Sequence, residues 1–230
     1  MPKIQTVDIS VPRSKDKGVM ESFLAQPEGA RQLPAVIVIH EIYGLNDNIR
    51  EVTRQFAEQG YTALAVDLFS NRNRMVCMLQ IIHGMLIRPL NNSMLDDLKS
   101  SVAFLQKQPN VDANRIGAVG FCMGGTYALQ LAITDNGMKA ASVFYGMNPK
   151  PLEAVAEACP IVGSYPDKDF TTRAARELET SLTKYNVPHD IKIYDNTQHS
   201  FLAQQRTPFE VAASKDAWQR MLAFFEKHLN

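Results

Sequence analysis

Residues 35–40, Ala-Val-Ile-Val-Ile-His, form a short run of mostly β-branched apolar side chains with no polar alternation. A strand with one wet face alternates apolar and polar residues, because successive side chains point to opposite faces. A run that does not alternate is buried on both faces, a situation found chiefly in parallel sheets covered by helices. The rest of the chain fits that reading. Residues 61–68, 115–121, 141–145, 160–164 and 190–194 read as further short strands. Helical patterns separate them. Ile49, Val52 and Phe56 recur at helical spacing after a cap at Asn46 or Asp47, and Gly60 ends that stretch. Leu95, Leu98, Val102 and Leu105 share one face of a helix over 93–108. Further helices are expected from Gly124, over 172–185, and over about 209–228, the last with Trp218, Met221, Leu222, Phe225 and Leu229 on one face. Residues 4–11 and 18–26 read as extended segments ahead of this alternation. The pattern predicts one α/β domain over residues 1–230, with a mostly parallel central sheet and helices on both faces. In such sheets the active groups lie on loops at the carboxyl ends of the strands.

Composition narrows the function classes. Lys plus Arg equals Asp plus Glu at 24 each, so no global field favours nucleic acid or an anionic membrane. The N-terminal stretch has no apolar h-region, and a secretory leader is not expected. The most apolar segment, residues 75–90, is interrupted by Gln80, His83, Gly84, Arg88 and Pro89, so no membrane span is expected. Cys77, Cys122 and Cys159 form no paired pattern, which points to a reducing cytoplasmic setting. No clustered Cys/His spacing, phosphate loop or dinucleotide fingerprint is present. We therefore expect no metal and no cofactor, a small-molecule partner, and a monomer or homodimer.

The chemistry concentrates at Gly120-Phe121-Cys122-Met123-Gly124-Gly125, between a strand and a helix. This is the G-x-S-x-G nucleophile elbow with cysteine in place of serine. The chain turns so sharply there that side chains at Gly120 and Gly124 would collide. The helix N-terminus is expected to favour the Cys122 thiolate. In this fold the order is nucleophile, acid, histidine. Downstream of Cys122 stand His189, His199 and His228. His228 lies in the terminal helix and His189 at the amino end of a strand, so His199, in a loop beyond a strand, is the expected general base. The acid follows the strand ending near Ser164, where Asp167 and Asp169 are both available. Either could instead cap the next helix or shape a turn.

With these residues in view, the chain resembles the dienelactone hydrolase family over nearly its whole length. The carrying residues are His40-Glu41-Ile42-Tyr43-Gly44, the cysteine elbow, Asp169, and His199-Ser200-Phe201. The resemblance implies a hydrolase that cleaves a small ester or lactone, and it favours Asp169 over Asp167 as the acid. It further implies that Glu41 sits beside the thiol and helps control its protonation. The backbone N–H groups of Ile42 and Met123 would form the oxyanion hole. Tyr43, Arg74, Tyr145, Ser200 and Phe201 become candidate substrate contacts. His40 reads as a hydrogen-bonded structural residue. The best-known members carry a carboxylate-binding arginine four residues after the histidine. Here that position is Ala203, and the nearest arginine is Arg206. The Met/Ile-rich stretch 75–90 is expected to cover the pocket for an apolar substrate, to pack in the core, or to form a dimer contact. The alternatives to a lactone-cleaving enzyme are a general carboxylesterase and a non-catalytic hydrolase-fold protein with a redox-sensitive Cys122.

Overall fold

A computed structural model describes residues 3–15, 18–70 and 72–229, without the side chains of Arg74, Met85 and Leu86. Eight strands form one sheet: β1 (Ile4–Pro12), β2 (Val19–Pro27), β3 (Leu33–Ile39), β4 (Thr62–Val66), β5 (Val111–Phe121), β6 (Met138–Phe144), β7 (Ile161–Lys168) and β8 (His189–Gln198). Their spatial order is β1-β2-β4-β3-β5-β6-β7-β8. Only β2 runs against the others, pairing antiparallel with both β1 and β4. The remaining pairs are parallel.

The unalternating run behaves as its composition requires. In β3, Ile37 and Ile39 pack into one core cluster while Val36 and Val38 pack into another, and all four are fully buried. The first cluster lies under α2 (Arg74–Leu86), α3 (Ser93–Gln106) and α4 (Met123–Thr134). The second lies under α1 (Asp47–Glu58) and α7 (Pro208–Leu229). A third cluster joins α4 to α5 (Thr172–Lys184) over β6 and β7. Each buried Val or Ile contributes about 1.5–3 kcal/mol, which sets the register firmly.

This topology decides where function can sit. β3, β5, β6, β7 and β8 are consecutive neighbours, and every pair among them is parallel. Their carboxyl ends therefore share one edge. Glu41 follows β3, Cys122 follows β5, Tyr145 follows β6, Asp169 follows β7 and His199 follows β8.

Several elements differ from the sequence expectation. α2 occupies most of the Met/Ile-rich stretch 75–90, where the sequence reading places no helix, and its apolar residues surround the axis. Cys77 and Ile81 face the core, while Met75, Leu79 and Ile82 are exposed. Asn73 caps it, accepting from the Met75 and Val76 N–H groups at 3.0 and 3.4 Å. β7 runs on past Ser164 to Lys168, despite Pro166. Its pairing with β6 stops at Ser164, so Pro166 stands where only β8 is a partner, and an edge tolerates proline. β8 likewise extends to Gln198, so His199 follows the strand directly. A 3₁₀ turn at Leu152–Glu157 and a four-residue helix, α6 (Phe201–Gln204), complete the described elements. Among the described residues no helix is long and apolar enough to cross a membrane.

The segment after β1 is fastened by a buried ion pair. Arg13 Nη1 lies 2.6 Å from Asp97 Oδ2 on α3, with both side chains 2% exposed. Arg13 Nη2 also donates to the carbonyls of Leu68 and Ser70, and Asp97 Oδ1 accepts from the Ser14 N–H and hydroxyl.

Candidate active site

The elbow is as tight as its glycines suggest. Cys122 has φ 55° and ψ −115°, a strained conformation for a residue with a side chain. A Cβ on Gly120 would stand 1.9 Å from the Gly124 carbonyl oxygen. One on Gly124 would stand 2.2 Å from the Ile39 carbonyl oxygen, and one on Gly125 2.5 Å from that of Phe144. The start of α4 thus threads between the backbones of β3, β5 and β6 with room for hydrogen only. The Cys122 N–H donates to the Phe144 carbonyl at 3.0 Å and fixes the turn.

The Cys122 side chain is partly buried, and its thiol is pushed up to about 11. Burial is the main cause, the nearby charges of Glu41 and Asp169 add to it, and a hydrogen bond from the Met123 N–H opposes it. The expectation that the helix N-terminus would favour the thiolate is therefore outweighed. Burial and two carboxylates exceed one dipole and one N–H donor. No hydrogen bond joins the thiol to His199 among the described residues.

The imidazole of His199 is held from several sides. Its Nδ1 lies 2.8 Å from Asp169 Oδ2, and that carboxylate is almost fully buried. Asp169 Oδ2 also accepts from the Thr171 hydroxyl at 2.5 Å. An Nδ1–H that donates to the carboxylate leaves Nε2 as the basic nitrogen. Phe170 stacks on the ring at a centroid distance of 5.1 Å, and Tyr145 packs against it at 4.9 Å with its plane tilted by 57°. Arg206 donates from both Nη atoms to the His199 carbonyl and pairs with Glu210. The Glu210 carboxylate is buried and accepts from the backbone N–H groups of Gln198 and Arg206. Arg206 and Glu210 therefore clamp the histidine loop. The two candidate acids have separate tasks: Asp169 meets the imidazole, while Asp167 accepts from the Thr197 N–H at 3.0 Å and ties β7 to β8.

Glu41 is buried, and its Oε1 accepts from the Ser200 hydroxyl at 2.9 Å. Its neighbour His40 is fully buried. The Leu68 N–H donates to His40 Nε2 at 3.1 Å, so the proton resides on Nδ1, which donates to the Glu41 carbonyl at 2.5 Å. That bond aims the loop that carries Glu41. Ile42 and Tyr43 follow at the surface, 37% and 59% exposed. Because the Ile39 and His40 carbonyls lie over Gly124, the loop carrying the Ile42 N–H packs against the helix start carrying the Met123 N–H. Tyr145 and Phe201 are buried behind His199, packed on each other at 5.8 Å, so they back the site and do not line its mouth. Burial, with the charges of Glu41 and Cys122, holds the Tyr145 phenol well above its usual range. Arg74, a candidate substrate contact by sequence, has its side chain outside the described residues. The sequence does not single out Thr171, Phe170 or Glu210, and it marks Arg206 only as the arginine nearest to Ala203. No local pattern marks a residue whose role depends on reaching another loop.

Comparisons with known proteins show which family has this sequence and this fold. The profile of the Dienelactone hydrolase family matches residues 20–229. The chain belongs to the dienelactone hydrolase family. It is 33% identical over 249 residues to the Saccharolobus solfataricus protein named "Putative carboxymethylenebutenolidase", covering 92% of this chain and 95% of that one. A Synechocystis protein of the same name is 31% identical over 246 residues, covering 98% of each chain. Among solved structures, one described as a "Putative Dienelactone Hydrolase" from Klebsiella pneumoniae superposes with a TM-score of 0.83 at 27% identity, covering 98% of this chain and all of that one. The protein is thus a hydrolase of the dienelactone hydrolase type, with the α/β-hydrolase fold.

The raised thiol gives an immediate expectation for this family member. Alkylation of Cys122 by iodoacetamide is slow at pH 7 and keeps accelerating above pH 9, where an ordinary thiol levels off, because only the thiolate reacts. Glu41→Gln removes one of the two charges that oppose ionisation, so its rate profile moves to lower pH. A profile that levels off below pH 9 in the unmodified protein contradicts the assignment.

Proposed function

We propose that the chain hydrolyses small esters or lactones by acyl transfer through Cys122, His199 and Asp169. The observation that carries this reading is the 2.8 Å contact between His199 Nδ1 and Asp169 Oδ2, on loops that share an edge with the cysteine elbow. With its pKa pushed up to about 11, the thiol is neutral at pH 7 before substrate binds. Substrate entry lets the thiol turn toward His199, and Nε2 takes its proton as the sulfur attacks the carbonyl carbon. Met123 gives up its hydrogen bond to the sulfur and, with the Ile42 N–H, receives the oxyanion. Each donor is worth about 3 kcal/mol of barrier. The tetrahedral intermediate collapses, and His199 returns its proton to the leaving alkoxide, leaving a thioester on Cys122. In a lactone that alcohol stays attached to the acyl chain. Water then gives a proton to His199 and attacks the thioester. Sulfur leaves and is reprotonated, and the free acid departs. The charge of Glu41 adds to the burial that keeps the idle thiol neutral. Ser200 holds that carboxylate, and Tyr43 flanks the entrance.

The test is turnover of a small aryl ester and a simple lactone by the protein and by Cys122→Ala. The proposal expects hydrolysis by the first and a loss of at least about 10⁴-fold in the second, as for removal of a nucleophile from a triad. Equal slow turnover by both contradicts it and favours a non-catalytic thiol. The ratio of lactone to linear-ester rates separates lactone preference from general carboxylesterase activity.

A further inference from the structure

We propose that Phe170 is a specificity-determining residue, an aromatic platform that selects uncharged substrates carrying a flat aryl or conjugated group beside the scissile bond. The inference rests on the acyl-transfer reading above and names its substrate class. Phe170 directly follows Asp169, and its ring stacks on the His199 imidazole with centroids 5.1 Å apart and planes at 22°. Yet the residue is 67% exposed, so much of its surface has nothing over it. A single exposed phenylalanine would mean little. Here Ile42 and Tyr43 after β3, Met147 beyond β6 and Phe170 after β7 are all exposed, and their three loops flank one thiol at a shared strand edge. An apolar rim of that kind, around a few aimed polar groups, is what a small-molecule site presents.

Charge supplies the second half. The carboxylates of Glu41 and Asp169 both act on the thiol, so an anionic substituent near the reacting carbonyl meets repulsion. The guanidinium nearest to His199 along the chain, Arg206, is engaged by the His199 carbonyl and by Glu210. A flat group laid against Phe170 gains offset-stacked contact and covers exposed apolar surface. It also comes to rest beside the imidazole that must exchange protons with the leaving oxygen.

Two lactones of the same ring size test this: dihydrocoumarin, which carries a fused aryl group, and δ-valerolactone, which does not. The expected result is a lower KM for dihydrocoumarin than for δ-valerolactone, and a ratio of the two KM values that Phe170→Ala shrinks roughly tenfold, whatever loss of kcat the less supported imidazole imposes on both lactones alike. Phe170→Trp keeps the preference. A carboxylate added to the dihydrocoumarin ring lowers kcat/KM. A KM ratio unchanged by Phe170→Ala, with an equal fall in kcat on both lactones, would mean that the ring only steadies His199, and would overturn the proposal. So would a wild-type preference for the aliphatic or the carboxylated lactone. Cys122→Ala, assayed on δ-valerolactone, separates the two claims. If turnover stops there, acyl transfer stands whatever Phe170 does. If turnover continues, the underlying reading fails and takes the platform with it.

Discussion

Asp169→Asn lowers kcat by about 10³–10⁴-fold while leaving the fold intact. An amide in place of the carboxylate can present its NH2 to His199 Nδ1, which then must accept. That puts the proton on Nε2, where the base is needed. The hydrogen bond survives in the wrong sense, so substrate binding changes much less than turnover. Asp167→Asn is the matched control. Asp167 accepts from the Thr197 N–H, and the amide oxygen can still do so. Its expected effect on kcat is small. Steady-state kinetics on one ester for both variants check the pair. A large loss in Asp167→Asn with a mild one in Asp169→Asn would reverse the assignment of the acid.

The second large effect concerns stability. Arg13→Ala removes the cation facing the buried Asp97 and leaves its carboxylate, among the described residues, with Ser14 and a distant Arg72 contact at 3.5 Å. It also strips donors from the carbonyls of Leu68 and Ser70. Breaking one partner of a buried pair typically costs about 3–5 kcal/mol. For a chain of this length that corresponds to a drop in Tm of roughly 10 °C. The double variant Arg13→Met/Asp97→Leu recovers part of the loss, because neither charge is then stranded. Thermal unfolding followed by circular dichroism decides it. A single variant within about 1 kcal/mol of the parent would mean that the pair is better hydrated than its burial implies.

Much of this architecture is legible in the sequence. The unalternating run at 35–40 dictated a strand buried on both faces, and β3 divides its side chains between two cores. The glycines flanking Cys122 announced a turn with no space for side chains, and the close approaches at Gly120 and Gly124 give the reason in ångströms. His199 emerged from chain order and strand polarity. What stayed hidden has physical causes. α2 lacks a period because apolar residues lie all round it, and periodicity is the signal a sequence offers for a surface helix. The extension of β7 was masked by Pro166, whose tolerance depends on where a neighbouring strand stops. The thiol's suppressed ionisation is not visible in the sequence because it depends on burial and on carboxylates brought from β3 and β7. Local sequence carried the dipole, and tertiary structure supplied the larger opposing effects. The choice between Asp167 and Asp169 likewise waited on which side chain reaches the imidazole.

Rapid-quench mass spectrometry, with a hindered aryl ester whose acyl group departs slowly, tests the central claim most directly. Protein sampled during turnover should gain the mass of one acyl group, located on the peptide containing Cys122, at a rate no slower than product release. Steady hydrolysis with that peptide unmodified at every time point, and undiminished after Cys122 has been capped by iodoacetamide, would contradict it.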